Sequence, residues 1–214
     1  CASIYIEKGA HITVRNCDIH DSGNGIFIGA FGGQTEDILL TGNYIYNNGI
    51  EGSIFEHNTY TEALGITYEY NRFGPLRSGA LGNNLKDRSA GLVIRYNWIE
   101  NGNRQLDLVD ASNGDALVNH PTYSTTYVYG NILIEPDGAG NSQIVHYGGD
   151  SGVLDDYRKG TLYFFNNTVV STRSGNTTLV RLSTMEETMM AFNNVIYNTA
   201  AGSNMALLDN TGVL

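Results

Sequence analysis

Residues 94–99 read IRYNWI, a short run of strand-forming residues that is interrupted by one asparagine, Asn97. Six more copies of this phrase occur, at 14–19, 40–45, 68–73, 128–133, 164–169 and 191–196. Their asparagines are Asn16, Asn43, Asn71, Asn97, Asn131, Asn167 and Asn194, and successive members lie 27, 28, 26, 34, 36 and 27 residues apart. A period in this range is typical of a repeat protein. The sequence therefore predicts about seven stacked coils.

One asparagine per repeat has a physical reason. Asparagine tolerates the left-handed backbone conformation that a sharp bend requires. Its side-chain amide can also bond its own backbone or a second asparagine one coil away. We therefore predict that the asparagines form a ladder at the corner where each coil turns.

A second set of strand-like segments follows the asparagines at a nearly constant offset. These segments are 25–28, 53–57, 80–86, 105–108, 142–146, 178–181 and 206–208. Their apolar residues alternate, so that one face of each strand packs inward. Each coil then holds at least two strands, with room for a short third. Coils of this kind build an all-β solenoid, the parallel β-helix, and seven of them at roughly 4.8 Å each give a rod ~35 Å long.

Composition narrows the class of protein. The 214 residues fit one domain over 1–214, and both ends interrupt a repeat, so we expect a mature or trimmed piece of a longer chain. No apolar run approaches the ~20 residues of a membrane span. The net charge of −10 argues against nucleic acid as a partner. Cys1 and Cys17 are compatible with either a disulfide or two free thiols.

Positive charge is concentrated in one stretch of this acidic chain. Six of the twelve Lys and Arg residues fall between 72 and 104, a window with only two acids, so that its net charge is +4. The six are Arg72, Arg77, Lys86, Arg88, Arg95 and Arg104. A compact basic patch is a natural site for a polyanion. We therefore expect an extracellular protein, secreted or on the cell surface, that binds an acidic polysaccharide across this stretch.

Alternation within the second strand set suggests a column of polar side chains. If Leu85 points inward, then Asn84 and Lys86 point outward, and Arg88 follows on the same side. Asp107 lies 21 residues after Lys86, close to one coil, and is expected to stack beside it. The preceding coil offers His57 and the following coil offers His146. The expected column is His57, Lys86, Asp107 and His146.

These residue types suit β-elimination on a uronate. A lyase must neutralise the carboxylate, remove the proton at C5 and protonate the departing oxygen at C4. A lysine flanked by arginines can act as the base, and Lys86 beside Arg88 has that setting. We expect Arg88 and Arg77 to hold the carboxylate, and His57 or Tyr60 to serve the leaving oxygen. The other expected substrate-binding residues are Arg72, Asn84, Arg104, Asp107 and His146.

The repeated Asn-x-apolar phrases and the coil length resemble those of the right-handed parallel β-helix superfamily of pectate-lyase-like carbohydrate enzymes. Residues 84–88, NLKDR, followed by 96–100, YNWIE, are similar to the catalytic-lysine coil of the chondroitinase B and alginate lyase family. That resemblance implies Lys86 as the base. The family has acidic calcium ligands just before the lysine, where this chain has residues 79–81, GAL, and a catalytic arginine about one coil later, where this chain has Asp107. The sequence points to no definite cofactor and leaves calcium open.

Two other functions remain open. A glycoside hydrolase on the same fold would use carboxylates such as Asp107, Asp110 and Glu100 as acid and base. A non-catalytic glycan-binding or structural rod would instead rely on its open ends, which favour end-to-end self-association. The longest coils also predict loops at about 109–124 and 136–160, whose aromatic and polar residues suit a sugar-binding cleft. Those loop residues are His120, Tyr123, Tyr147, Asp150, Asp155, Asp156, Tyr157 and Arg158.

Overall fold

A computed structural model of the chain describes residues 1–30, 35–112 and 115–209. Within these ranges the helical segments are short: α1 (Asp115–Val118) and a 3-10 turn at Leu154–Asp156. The strands are β1 (Ala2–Ile6), β2 (Gly9–Arg15), β3 (Asp18–Ile19), β4 (Asn24–Ile28), β5 (Thr35–Thr41), β6 (Tyr44–Ile45), β7 (Thr59–Thr61), β8 (Leu64–Glu69), β9 (Arg72–Phe73), β10 (Leu85–Asp87), β11 (Ala90–Arg95), β12 (Trp98–Glu100), β13 (Leu106–Leu108), β14 (Thr125–Tyr129), β15 (Ile132–Glu135), β16 (Gln143–Tyr147), β17 (Thr161–Phe165), β18 (Thr168–Ser171), β19 (Thr177–Leu182), β20 (Thr188–Phe192), β21 (Val195–Asn198) and β22 (Met205–Asp209).

The strands form three parallel sheets. The first sheet runs β1-β4-β7-β10-β13-β16-β19-β22, the second β2-β5-β8-β11-β14-β17-β20, and the third β3-β6-β9-β12-β15-β18-β21. Neighbours in each sheet are three strands apart in the chain, so every coil contributes one strand to each sheet. The chain is a right-handed parallel β-helix, as predicted. Each coil has a definite third strand, which the sequence had only allowed for.

The predicted asparagine ladder is present from Asn43 to Asn194. The amide of Asn43 donates to Oδ1 of Asn71 over 2.9 Å, and the same contact recurs in every later coil. Each amide also donates to a backbone carbonyl of the preceding coil, as Asn97 does to Tyr68 over 3.0 Å. The ladder therefore satisfies buried backbone groups at the corner between the second and third sheets.

Two details of the ladder differ from the prediction. Asn16 is not a member, because the backbone N–H of Cys17 donates to Oδ1 of Asn43 instead. Among the described residues, the left-handed conformation belongs to the residue before each ladder position, such as Asn16 (φ 54°), Gly42 (φ 67°) or Tyr96 (φ 58°). The ladder asparagine itself has no positive φ, since its role is hydrogen bonding rather than bending.

The inner faces of the three sheets form one continuous core. Ile26, Leu85, Leu106 and Val145 stack along the first sheet and are fully buried. Each such side chain contributes roughly 1.5–3 kcal/mol relative to leaving it exposed. In β10 and β13 every residue is buried, on the outer as well as the inner face. Other parts of the chain therefore cover the outer face of the first sheet at β10 and β13. The candidate functional site lies on this covered face.

The structure also describes the state of the cysteines and the character of the helices. Cys1 and Cys17 are both free and exposed. None of the helices in the described ranges has the length and apolar character that a membrane crossing needs.

Candidate functional site

A cavity of about 340 Å³ lies on the outer face of the first sheet, over β7, β10, β13 and β16. Its lining combines an exposed apolar edge with a buried polar floor. The edge carries Ile54, Phe55 and Leu81. The polar residues of the lining are His57, Tyr60, Asn83, Lys86, Arg88, Asn103, Arg104, Asp107, His146 and Asp150.

The floor of the cavity is a column of side chains in register. Tyr60, Lys86, Asp107 and His146 are paired residues of successive strands of the first sheet. The stacking of Lys86, Asp107 and His146 was predicted. His57 was expected in the column but lies three residues before Tyr60, ahead of the start of β7. It still reaches the cavity, and its ring stacks on that of Tyr60 with centroids 5.8 Å apart.

Lys86 is held between two carboxylates. Its Nζ donates to Asp107 Oδ2 over 2.7 Å and to Asp150 Oδ2 over 2.5 Å. Only 9% of its side chain is exposed. Two carboxylates hydrogen-bonded to one buried ammonium group offset the cost of burying its charge. Lys86 is therefore arranged as a fixed positive charge.

Arg88 links the same carboxylate to the column. Its Nη2 donates to Asp150 Oδ1 over 2.7 Å, and its Nε donates to the Tyr60 hydroxyl over 2.8 Å. Its Nη1 donates to the backbone carbonyl of Asp110. Burial would lower the pKa of Arg88, but Tyr60, Asp150 and Asp110 together raise it. Lys86 and Arg88 thus each donate a hydrogen bond to one of the two oxygens of the Asp150 carboxylate.

His57 is neutral and has a fixed tautomer. The backbone N–H of Asn83 donates to Nδ1 of His57 over 2.8 Å, so the ring proton resides on Nε2. Burial, with the nearby charge of Lys86, lowers the pKa of His57 to about 3. At neutral pH this ring can donate a hydrogen bond from Nε2 but carries no charge.

Asp107 is the centre of the polar network. Its Oδ2 accepts from Lys86 and, over 2.7 Å, from the amide of Asn83; its Oδ1 contacts His146 Nδ1 over 2.8 Å. Burial alone would raise the pKa of Asp107, but the contacts with His146 and Lys86 lower it far below its usual range. Arg104 lies 3.9 Å from the same carboxylate. Asp107 is therefore an anion that positions its neighbours.

His146 joins this carboxylate to a serine. Its Nε2 lies 2.9 Å from Ser183 Oγ, so that Ser183, His146 and Asp107 are linked in series. Ser183 Oγ also accepts the N–H of Gly149 over 2.9 Å, is buried, and does not line the cavity. Its position suits fixing the ring of His146 rather than attacking a ligand.

The six basic residues of 72–104 do not share one surface. Arg72 lies in the third sheet, where it is exposed, 3.8 Å from Glu100 and over the ring of Tyr44. Arg95 lies in the second sheet, paired with Glu69. A coil is about as long as this stretch, so the chain carries its charges around all sides of the solenoid. The expectation of one continuous basic patch is therefore wrong.

Arg77 and Asn84 are also placed outside the site. Arg77 is 3.9 Å from Asp21 and lines a neighbouring cavity of about 220 Å³. Asn84 was expected to point outward but is fully buried, accepting from Asn58 over 2.8 Å and donating to the Glu100 carbonyl over 2.7 Å. The strand begins only at Leu85, so the alternation does not extend back to Asn84.

Sequence reasoning missed Asn83 and Ser183, and it gave Asp150 no role in this site. The length of the coil did signal a loop at 136–160, which contains Asp150. The expected aromatic cleft is not built from that loop and its neighbour at 109–124, because Tyr123 and Tyr147 are buried. Arg158 is also fully buried, bonded to Asp87 over 3.2 Å. From these two loops, Asp150 lines the cavity.

Comparison of the chain with protein-family models, with curated proteins and with solved structures finds no match. The parallel β-helix is thus shown by the structure, while the likeness to pectate-lyase-like enzymes remains a likeness of residues. Across the described residues, no three His, Cys, Asp or Glu side chains are grouped so that they could hold a metal ion.

Proposed function

We propose that this protein is an extracellular carbohydrate-active enzyme, a polysaccharide lyase that cleaves a uronate-containing glycan by β-elimination. The observation that carries the proposal is the meeting of Tyr60, Lys86, Arg88 and neutral His57 in one cavity on the outer face of the first sheet. The partner would be an acidic polysaccharide, and the setting would be secretion or the cell surface.

Lys86 and Arg88 would neutralise the uronate carboxylate. They are buried cations whose donors converge on a single carboxylate, that of Asp150. Charge placed in this way acidifies the proton at C5, because it stabilises the negative charge that develops beside the carboxylate. Arg104 adds a third cation at the far side of the cavity.

Tyr60 suits the role of base better than Lys86 does. The Lys86 Nζ is engaged by the carboxylates of Asp107 and Asp150, whereas the Tyr60 hydroxyl lines the cavity and receives the Nε–H of Arg88. In the proposed step this tyrosine acts in its deprotonated form. The phenolate takes the C5 proton, the C4–C5 double bond forms, the C4–O bond breaks, and the tyrosine returns the proton to the departing oxygen. His57 would donate a hydrogen bond from its Nε2–H to the same departing oxygen.

A glycoside hydrolase is less well supported by the same geometry. That mechanism needs a carboxyl group whose raised pKa keeps it protonated as the acid. The two carboxylates that line the cavity, Asp107 and Asp150, both have a lowered pKa. Burial alone would raise it, but the hydrogen bond with His146 and the charge of Lys86 outweigh burial at Asp107, and the charges of Lys86 and Arg88 do so at Asp150. Neither is arranged to donate a proton.

One assay tests the proposal. A lyase forms an unsaturated product that absorbs in the near ultraviolet, a hydrolase forms reducing ends without that absorbance, and a binding rod forms neither. Tyr60→Phe should abolish the absorbance and leave uronan binding intact. Tyr127→Phe, on the second sheet, is the matched control and should behave as the wild type. Reducing ends without absorbance, or an active Tyr60→Phe variant, would refute this mechanism.

A further inference from the structure

We infer that Asp150 is a specificity-determining residue whose carboxylate occupies the position of the ligand's own carboxylate. This position, between Lys86 Nζ and Arg88 Nη2, is called the carboxylate seat. This inference rests on the proposed function and adds how the site selects its ligand. Asp150 is 64 residues from Lys86 in the chain, yet it places one oxygen on Lys86 and the other on Arg88. That arrangement is the same two-point grip that a uronate would need.

The seat does not depend on Asp150 for its construction. Without that residue Lys86 retains its contact of 2.7 Å with Asp107. Arg88 retains Tyr60 and the carbonyl of Asp110, with the Asp110 carboxylate 3.5 Å away. Both cations therefore stay in position when the third carboxylate leaves. A ligand's carboxylate could take its place without rebuilding the floor of the cavity.

Asp150 can leave by rotation of its side chain. Its side chain is 32% exposed, in contrast to the 9% and 10% of Lys86 and Arg88. Its backbone is fixed separately, because Asp110 Oδ1 accepts the N–H of Asp150 over 2.7 Å. The loop can thus remain in place while the carboxylate turns into solvent.

Exchange of one carboxylate for another selects the ligand by its charge. A uronate that displaces Asp150 makes the same two contacts, with Lys86 and Arg88, that the Asp150 carboxylate gives up. The net free energy of binding is therefore the gain from the uronate's contacts minus the loss of those of Asp150. A neutral sugar offers no such replacement and would leave two buried cations with fewer anionic partners, which is costly. If Asp150 fills the seat for about nine-tenths of the time, the apparent Kd for a uronate is raised about tenfold.

The test is titration calorimetry of oligogalacturonate and oligoglucuronate against wild type and Asp150→Asn, a variant of equal size without the charge. We expect Asp150→Asn to bind the uronates about tenfold more tightly. Asp155→Asn, in the same loop with a fully exposed side chain, is the matched control and should not change Kd. Neutral oligoglucose should bind neither protein. Asp150→Ala gives the same comparison if the asparagine variant does not fold.

The outcomes separate this inference from the proposed function. Tight binding by the wild type that is unchanged or weakened in both Asp150 variants overturns the role of Asp150 and leaves the uronate site standing. No binding by any of the proteins overturns both. A crystal structure of the wild type with oligogalacturonate gives an independent check: the Asp150 carboxylate should have left Lys86 and Arg88, and its retention there would contradict the inference.

Discussion

The backbone N–H of Asn83 donates to Nδ1 of His57 over a distance of 2.8 Å, across two adjacent coils. This bond fixes which ring nitrogen carries the proton and requires the ring to be neutral, because a protonated imidazole has no acceptor. It couples the charge state of one histidine to the folded state of the solenoid.

We therefore expect stability to fall as the pH is lowered through the window between 6.5 and about 3. In that window His57 gains a proton in the unfolded chain but not in the folded one, whose His57 pKa is about 3. The unfolded state then binds more protons, so stability rises with pH. The loss attributable to His57 should be about 2 kcal/mol between pH 6 and pH 4.5. Urea unfolding at several pH values measures it. In His57→Gln, which keeps an acceptor for Asn83, the dependence should be flatter by this amount; an unchanged slope would contradict the assignment.

Asn16 and Asn43 lie in consecutive copies of the same phrase, yet we expect substitution by glycine to affect stability very differently at the two positions. Asn16→Gly should change stability by less than about 0.5 kcal/mol, since the residue is exposed and its φ of 54° suits glycine. Asn43→Gly should cost about 2–4 kcal/mol, because it removes the side-chain hydrogen bonds to Val14, Cys17 and Asn71. Denaturant unfolding of the two variants compares them directly. Equal effects would mean that the ladder is not a source of stability.

Lys86→Ala should destabilise the fold as well as weaken binding. Removal of the ammonium leaves Asp107, which is fully buried, with fewer positive partners, and breaking a buried ion pair costs about 3–5 kcal/mol. The affinity for uronates should fall because one of the two cations proposed to bind the uronate carboxylate is removed. Thermal unfolding and calorimetry on the same samples separate the two effects. A Lys86→Ala variant with normal stability and normal binding, but no activity, would instead restore lysine as the base.

Arg158 and Lys159 are neighbours in the chain with very different expected contributions. Arg158 is fully buried and bonds Asp87, so Arg158→Ala should cost about 3–5 kcal/mol. Lys159 is a surface residue 3.1 Å from Glu186, and Lys159→Ala should leave the free energy of unfolding nearly unchanged. Chemical denaturation of each variant supplies the comparison. Similar values for the two would show that the loop at 136–160 is not part of the folded core.

The order and spacing of the residues are sufficient to predict the architecture and part of the site. Seven copies of one phrase set the number of coils, because a solenoid repeats its hydrogen bonding once per turn. Alternation within a strand placed Lys86 outward, and its separation from Asp107 by about one coil placed those two side by side. These features follow from local geometry and period alone.

Which other residues reach the cavity depends on how the coils and loops pack. The offset between coils depends on how many residues each turn takes, so Tyr60 rather than His57 stacks beside Lys86. The same turns carry Arg72 and Arg95 to other sheets. Asp150 arrives from a loop that folds back across two coils, and its contacts with Lys86 and Arg88 depend on the path of that loop. Periodicity fixes where strands lie, but not how a long insertion packs, since that depends on buried contacts such as those of Arg158 that no local pattern records.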